Sequence, residues 1–357
     1  MKTVLLFILY LKSGLIGAVY KQWIPDTNFD NATNWDKARV PCFKDKIYFD
    51  SRMSVSVYVQ STHLLTEMHI PLDGEFIFVP DSGFAASTGS DDPNCHKGEN
   101  LNFISPDQNA WYDPKMWHAA ASIDDLEKNK YLFTVDEERV PCQYDNVIFR
   151  PETSFRVNVD SAEKEISVST ISVLGKKFSS NDDFSQYMQS NTAKLQFHGK
   201  GTIKVTNTKC SDKSGCECGN TANFDRICSA LNQHTGNKCP KVSCKNPLTP
   251  VGHCCGVCGA TISLKYSSEF DLERYRDRLI HTFLSLGKYA GVQMGISKVS
   301  RQQTLLGFIP RETVSEVQIV LIDEKTGSQA GITAAQLAKD IMNDIQEHGN
   351  LFIMPIY

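Results

Sequence analysis

Arg39-Val40-Pro41-Cys42, followed by Asp45, Ile47 and Phe49, returns one hundred residues later as Arg139-Val140-Pro141-Cys142, followed by Asp145, Val147 and Phe149. Seven identical or like residues at one offset are a poor match for chance. A period this long marks two copies of a domain, not the turns of a short-repeat array. Tryptophans precede each copy: Trp23 and Asn34-Trp35 in the first, Trp111 and Asp113-Pro114 through Trp117 in the second. Alternating apolar residues follow, Val55, Val57 and Val59 in one and Phe155, Val157 and Val159 in the other. The tryptophans are expected in the core, with an interface role for any left partly exposed.

Inside each copy the segments are short, rich in Val, Ile, Phe and Tyr, and spaced in an all-β rhythm. The first copy offers strands at 46–49, 54–59, 63–70 and 75–79; the second at 146–149, 155–159, 165–174 and 193–205. Gly74, Gly83, Gly89, Gly175, Gly199 and Gly201 fall where turns belong. Such strands suit a sandwich or a flattened β-helix, and periodicity does not separate the two.

Outward from the repeat, residues 210–258 hold nine of the chain's 12 cysteines in a core-poor stretch that needs cross-links. Cys254 and Cys255 are adjacent and must reach different partners. Zinc is the rival reading of the Cys255-x-x-Cys258 spacing beside His253, but the cysteine density and the export signal favour disulfides. All twelve are expected to pair: Cys42, Cys95, Cys142, Cys210, Cys216, Cys218, Cys228, Cys239, Cys244, Cys254, Cys255 and Cys258. Nine is odd, so one module cysteine pairs outside. The expectation is Cys42 with Cys95 and Cys142 with a module cysteine such as Cys210, although spacing alone does not fix connectivity.

After the module, 261–266 reads as a strand and Leu272, Tyr275, Leu279, Phe283 and Leu286 lie at helical spacing. Strands at 292–299 and 317–322, a helix through Leu337, Ile341 and Ile345 with Thr333 as its cap, and a strand at 351–356 complete a β-α-β-β-α-β order. The expected divisions are a signal peptide at 1–18, β repeats at 19–104 and 105–207, the cysteine-rich module at 208–259 and an α/β domain at 260–357.

The 357 residues are 41% hydrophobic and 22% charged, an ordinary balance for packed domains. A formal net charge of −4 gives no global attraction to nucleic acid or acidic lipid. Lys2, the apolar run 4–11 and the small residues at 14–18 form a secretory leader, too short to span a bilayer. No later stretch is long and apolar enough to do so. Asn31-Ala32-Thr33 is a glycan acceptor sequon, by itself a weak signal.

Signs of an enzyme are sparse. Gly199-x-Gly201 lacks a third glycine, and no P-loop, H-E-x-x-H or G-x-S-x-G occurs. Asp91-Asp92, Asp124-Asp125 and Asp182-Asp183 read as solvated doublets. His63 and His69 share a parity that would place both on one strand face, yet no third ligand accompanies them. No cofactor, metal or small-molecule ligand is expected.

The repeated R-V-P-C-x-x-D motif, Asn34-Trp35, Cys218-Gly219-Asn220 and Phe270-Asp271-Leu272-Glu273-Arg274-Tyr275-Arg276 resemble the amnionless family over essentially the whole chain. The module's Cys239-Pro240-x3-Cys244 and Cys254-Cys255-x2-Cys258 ending is similar to a von Willebrand factor C domain. The resemblance implies that the two repeats are flattened β-solenoids; with that module and the ferredoxin-like unit that the β-α-β-β-α-β order describes, the expected fold is mainly β with a small α/β domain. It implies a non-enzymatic type I membrane subunit that binds cubilin, escorts it to the apical surface and anchors it. Vitamin B12–intrinsic factor uptake and renal protein reabsorption would follow. The family's transmembrane helix and F-x-N-P-x-F tail signals do not occur in this sequence, whose sole Asn-Pro is Asn246-Pro247; the expectation is either an ectodomain fragment or a form without an anchor, the second of which would be secreted. The family's contact residues form no compact motif, so none is carried over. A secreted modulator of bone-morphogenetic-type growth factors, acting through the module, is the alternative.

Overall fold

The computed structural model describes residues 19–86, 95, 97–161, 165–305 and 309–349, with backbone alone for 234, 301–305 and 309–313. The expected leader at 1–18, Gly89, Asp91-Asp92 and the closing strand at 351–356 lie outside the described residues.

Both copies of the repeated motif make the same turn. Asp45 accepts the Cys42 N–H at 2.8 Å and returns its own N–H to the Cys42 carbonyl at 2.9 Å. Asp145 does the same with Cys142 at 3.0 and 2.9 Å. An aspartate three residues after the cysteine thus satisfies its own turn and starts the strand that follows. The tryptophan lead-ins also match. The Trp35 indole donates to the Phe29 carbonyl at 2.9 Å and the Trp117 indole to the Trp111 carbonyl at 2.7 Å. Between them lies a 3₁₀ turn capped by Asn31 in one copy and Asp113 in the other. Trp35 is therefore the counterpart of Trp117. The second copy inserts a helix, Ile123–Glu127, after the tryptophan and a helical turn, Asp136–Arg139, that runs into the first residue of the motif, which is why the tryptophans break the offset.

In the first repeat Lys46–Tyr48 runs parallel to Glu67–His69, Ser54–Val59 to Asp73–Phe78, and Thr62–Leu65 to Gly83–Ala86. In the second, Asn146–Ile148 runs parallel to Thr170–Val173, Val157–Asn158 to Phe197–His198, and Glu165–Val168 to Thr202–Val205. Segments 63–70 and 165–174 each break into two strands. Segment 193–205 opens as a helix, Asn191–Gln196, because Ser190 caps it through the Ala193 N–H. No closed barrel or solenoid is found among the described residues. The chain as a whole mixes helix and strand in similar measure and is not mainly β.

The boundary at residue 19 does not separate the first repeat. Tyr20–Trp23 lies between Asn146–Ile148 and Trp117–Ala120 in a five-stranded sheet of the second unit. It brings Trp23 edge-on to Trp117 at 4.9 Å, with Trp111 4.8 Å from Trp117 on the other side. All four tryptophans are buried, as large rings in small cores should be.

The module is not simply core-poor. It contains the helix Phe224–Asn232, whose Ile227 is fully buried in the second repeat's core. Its disulfides are Cys210–Cys216, Cys228–Cys254, Cys239–Cys255 and Cys244–Cys258, and Cys42 pairs with Cys95. Cys142 reaches Cys218, not Cys210, because Cys210 closes a short loop on Cys216, at a sequence separation of 6.

The α/β unit has strands Gly259–Leu264, Val292–Leu305 and Ile309–Asp323, with the third central and every pairing antiparallel. That is the order of a split β-α-β unit. Helices Leu272–Leu279 and Ile332–His348 bury Tyr275, Leu279, Leu337 and Ile341 against it. Thr333 is not the cap of the second helix. Gly331 is, and the Asp323 carboxylate accepts the N–H groups of Gly331, Thr333 and Ala334 at 2.9, 3.0 and 3.2 Å.

Candidate functional site: an open strand end and the junction behind it

Glu67–His69, Asp73–Phe78 and Gly83–Ala86 each pair on one side only among the described strands. Each lies on the same side of its partner in chain order, so together they form one open end of the first repeat. An open edge is a row of free N–H and C=O groups, a template for an added strand. Apolar residues gather beside it: Leu72 is 91% exposed and Ile70 60%, with Phe78 and Leu64 also exposed. Ile70 and Leu72 stand just before the edge strand Asp73–Phe78 and Phe78 closes it, so exposed apolar side chains mark both ends of that strand. Behind it, Phe76 and Phe84 meet edge-on at 5.3 Å. Glu75 ties the edge strand to the second repeat, accepting from Ser56 at 2.8 Å and from Thr192 at 2.9 Å. Ser56 also bonds Ser154 at 2.7 Å, so a buried polar network joins the two repeats.

The second repeat, module and α/β unit meet around a cleft of about 1240 Å³. The inserted acids Asp136, Glu137 and Glu138 each face a different neighbour. Asp136 accepts the Cys254 N–H at 3.0 Å and sits 3.0 Å from the His253 ring. Glu137 accepts from Thr221 at 2.8 Å. Lys21, 2% exposed, donates to the Glu138 carbonyl. Burial pushes the Glu138 carboxyl up to about 7, the Lys21 ammonium opposing only in part, and burial also raises Asp145. On the α/β side, the fully buried Gln318 amide exchanges bonds with the Val251 backbone at 2.8 and 3.1 Å. Lys298 reaches Asp212 at 2.6 Å.

These groups fasten units together; none forms a catalytic set. Cys142, Asp145 and Cys218 lie within metal-binding distance, but both sulfurs are spent in one disulfide. His63 and His69 occupy separate strands and bond different acids, Asp30 and Glu67. Ser61, His63 and Asp30 touch one another, yet Ser61 and Asp30 share the same His63 Nε2, so no proton relay runs through the ring. Asp125 accepts the hydroxyl of Ser122, Asp124 pairs with Lys128, and Asp182-Asp183 open the helix Asn181–Met188. Gly199 and Gly201 are a turn in which a Cβ on Gly201 would meet the Val159 oxygen at 1.8 Å. Asn31 keeps its amide nitrogen 3.0 Å from both Asp26 oxygens. Sequence reasoning missed the open end, Lys21, Glu75 and Gln318. Of these, only the exposed apolar run around Ile70 and Leu72 had a readable signal.

Fold and site define a disulfide-stapled protein of several units, with an open strand end on its first repeat. A family model described as Amnionless matches residues 20–353. Protein amnionless of Canis lupus familiaris is 39% identical over 335 residues, covering 94% of this chain and 69% of the relative. The Homo sapiens protein is also 39% identical, covering 94% and 71%, and the Drosophila melanogaster protein is 22% identical over 260 residues, covering 72% and 48%. The chain belongs to the amnionless family.

Proposed function

We propose that this chain is a non-enzymatic receptor subunit that binds cubilin through its first repeat. In this reading it escorts cubilin to the apical surface and anchors it for receptor-mediated endocytosis. The observation that supports it is the open end of Glu67–His69, Asp73–Phe78 and Gly83–Ala86, flanked by Ile70, Leu72 and Phe78. Main-chain pairing gives affinity at such an edge, and flanking apolar side chains give selectivity. In this reading partner strands extend the parallel ladders of the first repeat. Family membership supports the anchoring role; no helix among the described residues is long and apolar enough to cross a membrane. Asn31 receives its glycan before its turn closes, since the folded amide is engaged by Asp26. The test is co-purification with a cubilin amino-terminal fragment. Leu72→Arg with Phe78→Asp should weaken capture by at least about tenfold, the loss of a central apolar contact, with the disulfides intact. Unchanged capture, or capture of a growth factor in place of cubilin, would sink the reading.

A further inference from the structure

The module carries a charge asymmetry that the whole-chain balance hides. From Arg226 to Ser268 there is no aspartate or glutamate, in a chain whose formal charge is −4. Within this stretch, residues 235–249 form an outer lobe. Lys238, Lys241 and Lys245 are all exposed on it. No ion pair involves any of the three among the described residues, and the stretch that carries them supplies no acid to neutralise them. The lobe is rigid, because Cys239–Cys255 and Cys244–Cys258 fasten it at two points between these lysines. The backbone positions that carry the three lysines are therefore fixed before any ligand arrives, so binding orders side chains alone.

We propose that this lobe is a docking surface for a sulfated polysaccharide, gripped by Lys238, Lys241 and Lys245. Sulfates along an extended chain are permanent anions that release condensed counterions when ammonium groups replace them, as at a nucleic-acid backbone. Lysines act here as point charges without demanding bidentate geometry, which suits a ligand whose sulfates vary in position. An acidic membrane fits less well. Interfacial binding joins a basic cluster to an inserted apolar face, and Leu248, 39% exposed, is the lobe's one exposed large hydrophobic residue. Disulfides persist where such polysaccharides are found, outside the reducing cytosol.

The experiment measures binding of the intact chain to immobilised heparin across a salt series. The Lys238→Ala/Lys241→Ala/Lys245→Ala variant should bind about tenfold more weakly near physiological salt and show a shallower salt dependence. A control with the same charge change, Lys97→Ala/Lys130→Ala/Lys200→Ala, should stay within about twofold, since those exposed lysines lie outside the lobe. Replacing the three lobe lysines with arginine should preserve binding, and desulfated heparin should not be retained. Disulfide mapping of each variant confirms that the staples survive. Equal losses in lobe and control variants would mean non-specific attraction and overturn the proposal, as would an unaffected lobe variant. So would lobe-dependent binding to phosphatidylserine–phosphatidylcholine vesicles without heparin binding, which would make the partner a lipid surface.

Discussion

Asp45 and Asp145 close the same turn under different charges. Arg39 grips Asp45 with two bonds, of 2.6 and 2.9 Å. Burial works to raise that carboxyl, but the guanidinium and the N–H groups of Cys42 and Glu99 prevail and hold it below its ordinary value. Arg139 instead turns to the Thr134 carbonyl, and Asp145 is left with Lys21, against which burial prevails. The motif was legible as a repeat because its spacing survives. The change of partner was not, because Lys21 lies more than a hundred residues from the acids it faces. A pH dependence follows from Glu138. Its folded value, about 7, lies above the ordinary 4.5. Its contribution to stability is therefore complete below about 4.5 and is lost as pH rises through about 7. Thermal midpoints should fall as pH rises from 5 to about 7 and level off toward pH 8.5. Glu138→Gln should flatten that fall, and an unchanged profile would show that the carboxyl titrates normally.

At the scale of elements, strands bounded by alternating residues were the readable part: 54–59 matches Ser54–Val59 residue for residue. Elements governed by a remote group were not. The helix Ile332–His348 is capped from the end of the preceding strand by Asp323, and periodicity places the helix without revealing that clasp. Gln318 reads as a polar interruption in an apolar strand, yet it is fully buried because its amide substitutes for a missing strand against Val251. Gln318→Leu should cost about 1–3 kcal/mol by leaving the Val251 N–H and C=O unpaired. Thermal unfolding measures this. A loss below about 0.5 kcal/mol would mean that solvent replaces the amide.

On the scale of the whole molecule, the cysteine count and spacing disclosed a stapled module and Cys142 as the thiol that joins it to the second repeat, but not which module cysteine Cys142 reaches. Cys142–Cys218 is the bond that ties the second repeat to the module. Cys142→Ser alone leaves Cys218 unpaired, while the double Cys142→Ser/Cys218→Ser removes both thiols. Each should lose about 2–5 kcal/mol, and the single variant should be exported less well because a free thiol invites mispairing. Equal export of both, at the level of the parent, would show that the junction's polar contacts suffice.

Tyr20–Trp23 has a bearing on how the protein is made. A ribosome delivers these residues early, yet both neighbouring strands, Trp117–Ala120 and Asn146–Ile148, come roughly a hundred residues later. At ordinary elongation rates that is a wait on the order of ten seconds. Throughout it an unpaired β segment bearing Trp23 is available to chaperones, while the first repeat has already received all of its own strands. Deleting Tyr20–Trp23 should thus spare the first repeat, which follows it in sequence, and cripple the unit beyond.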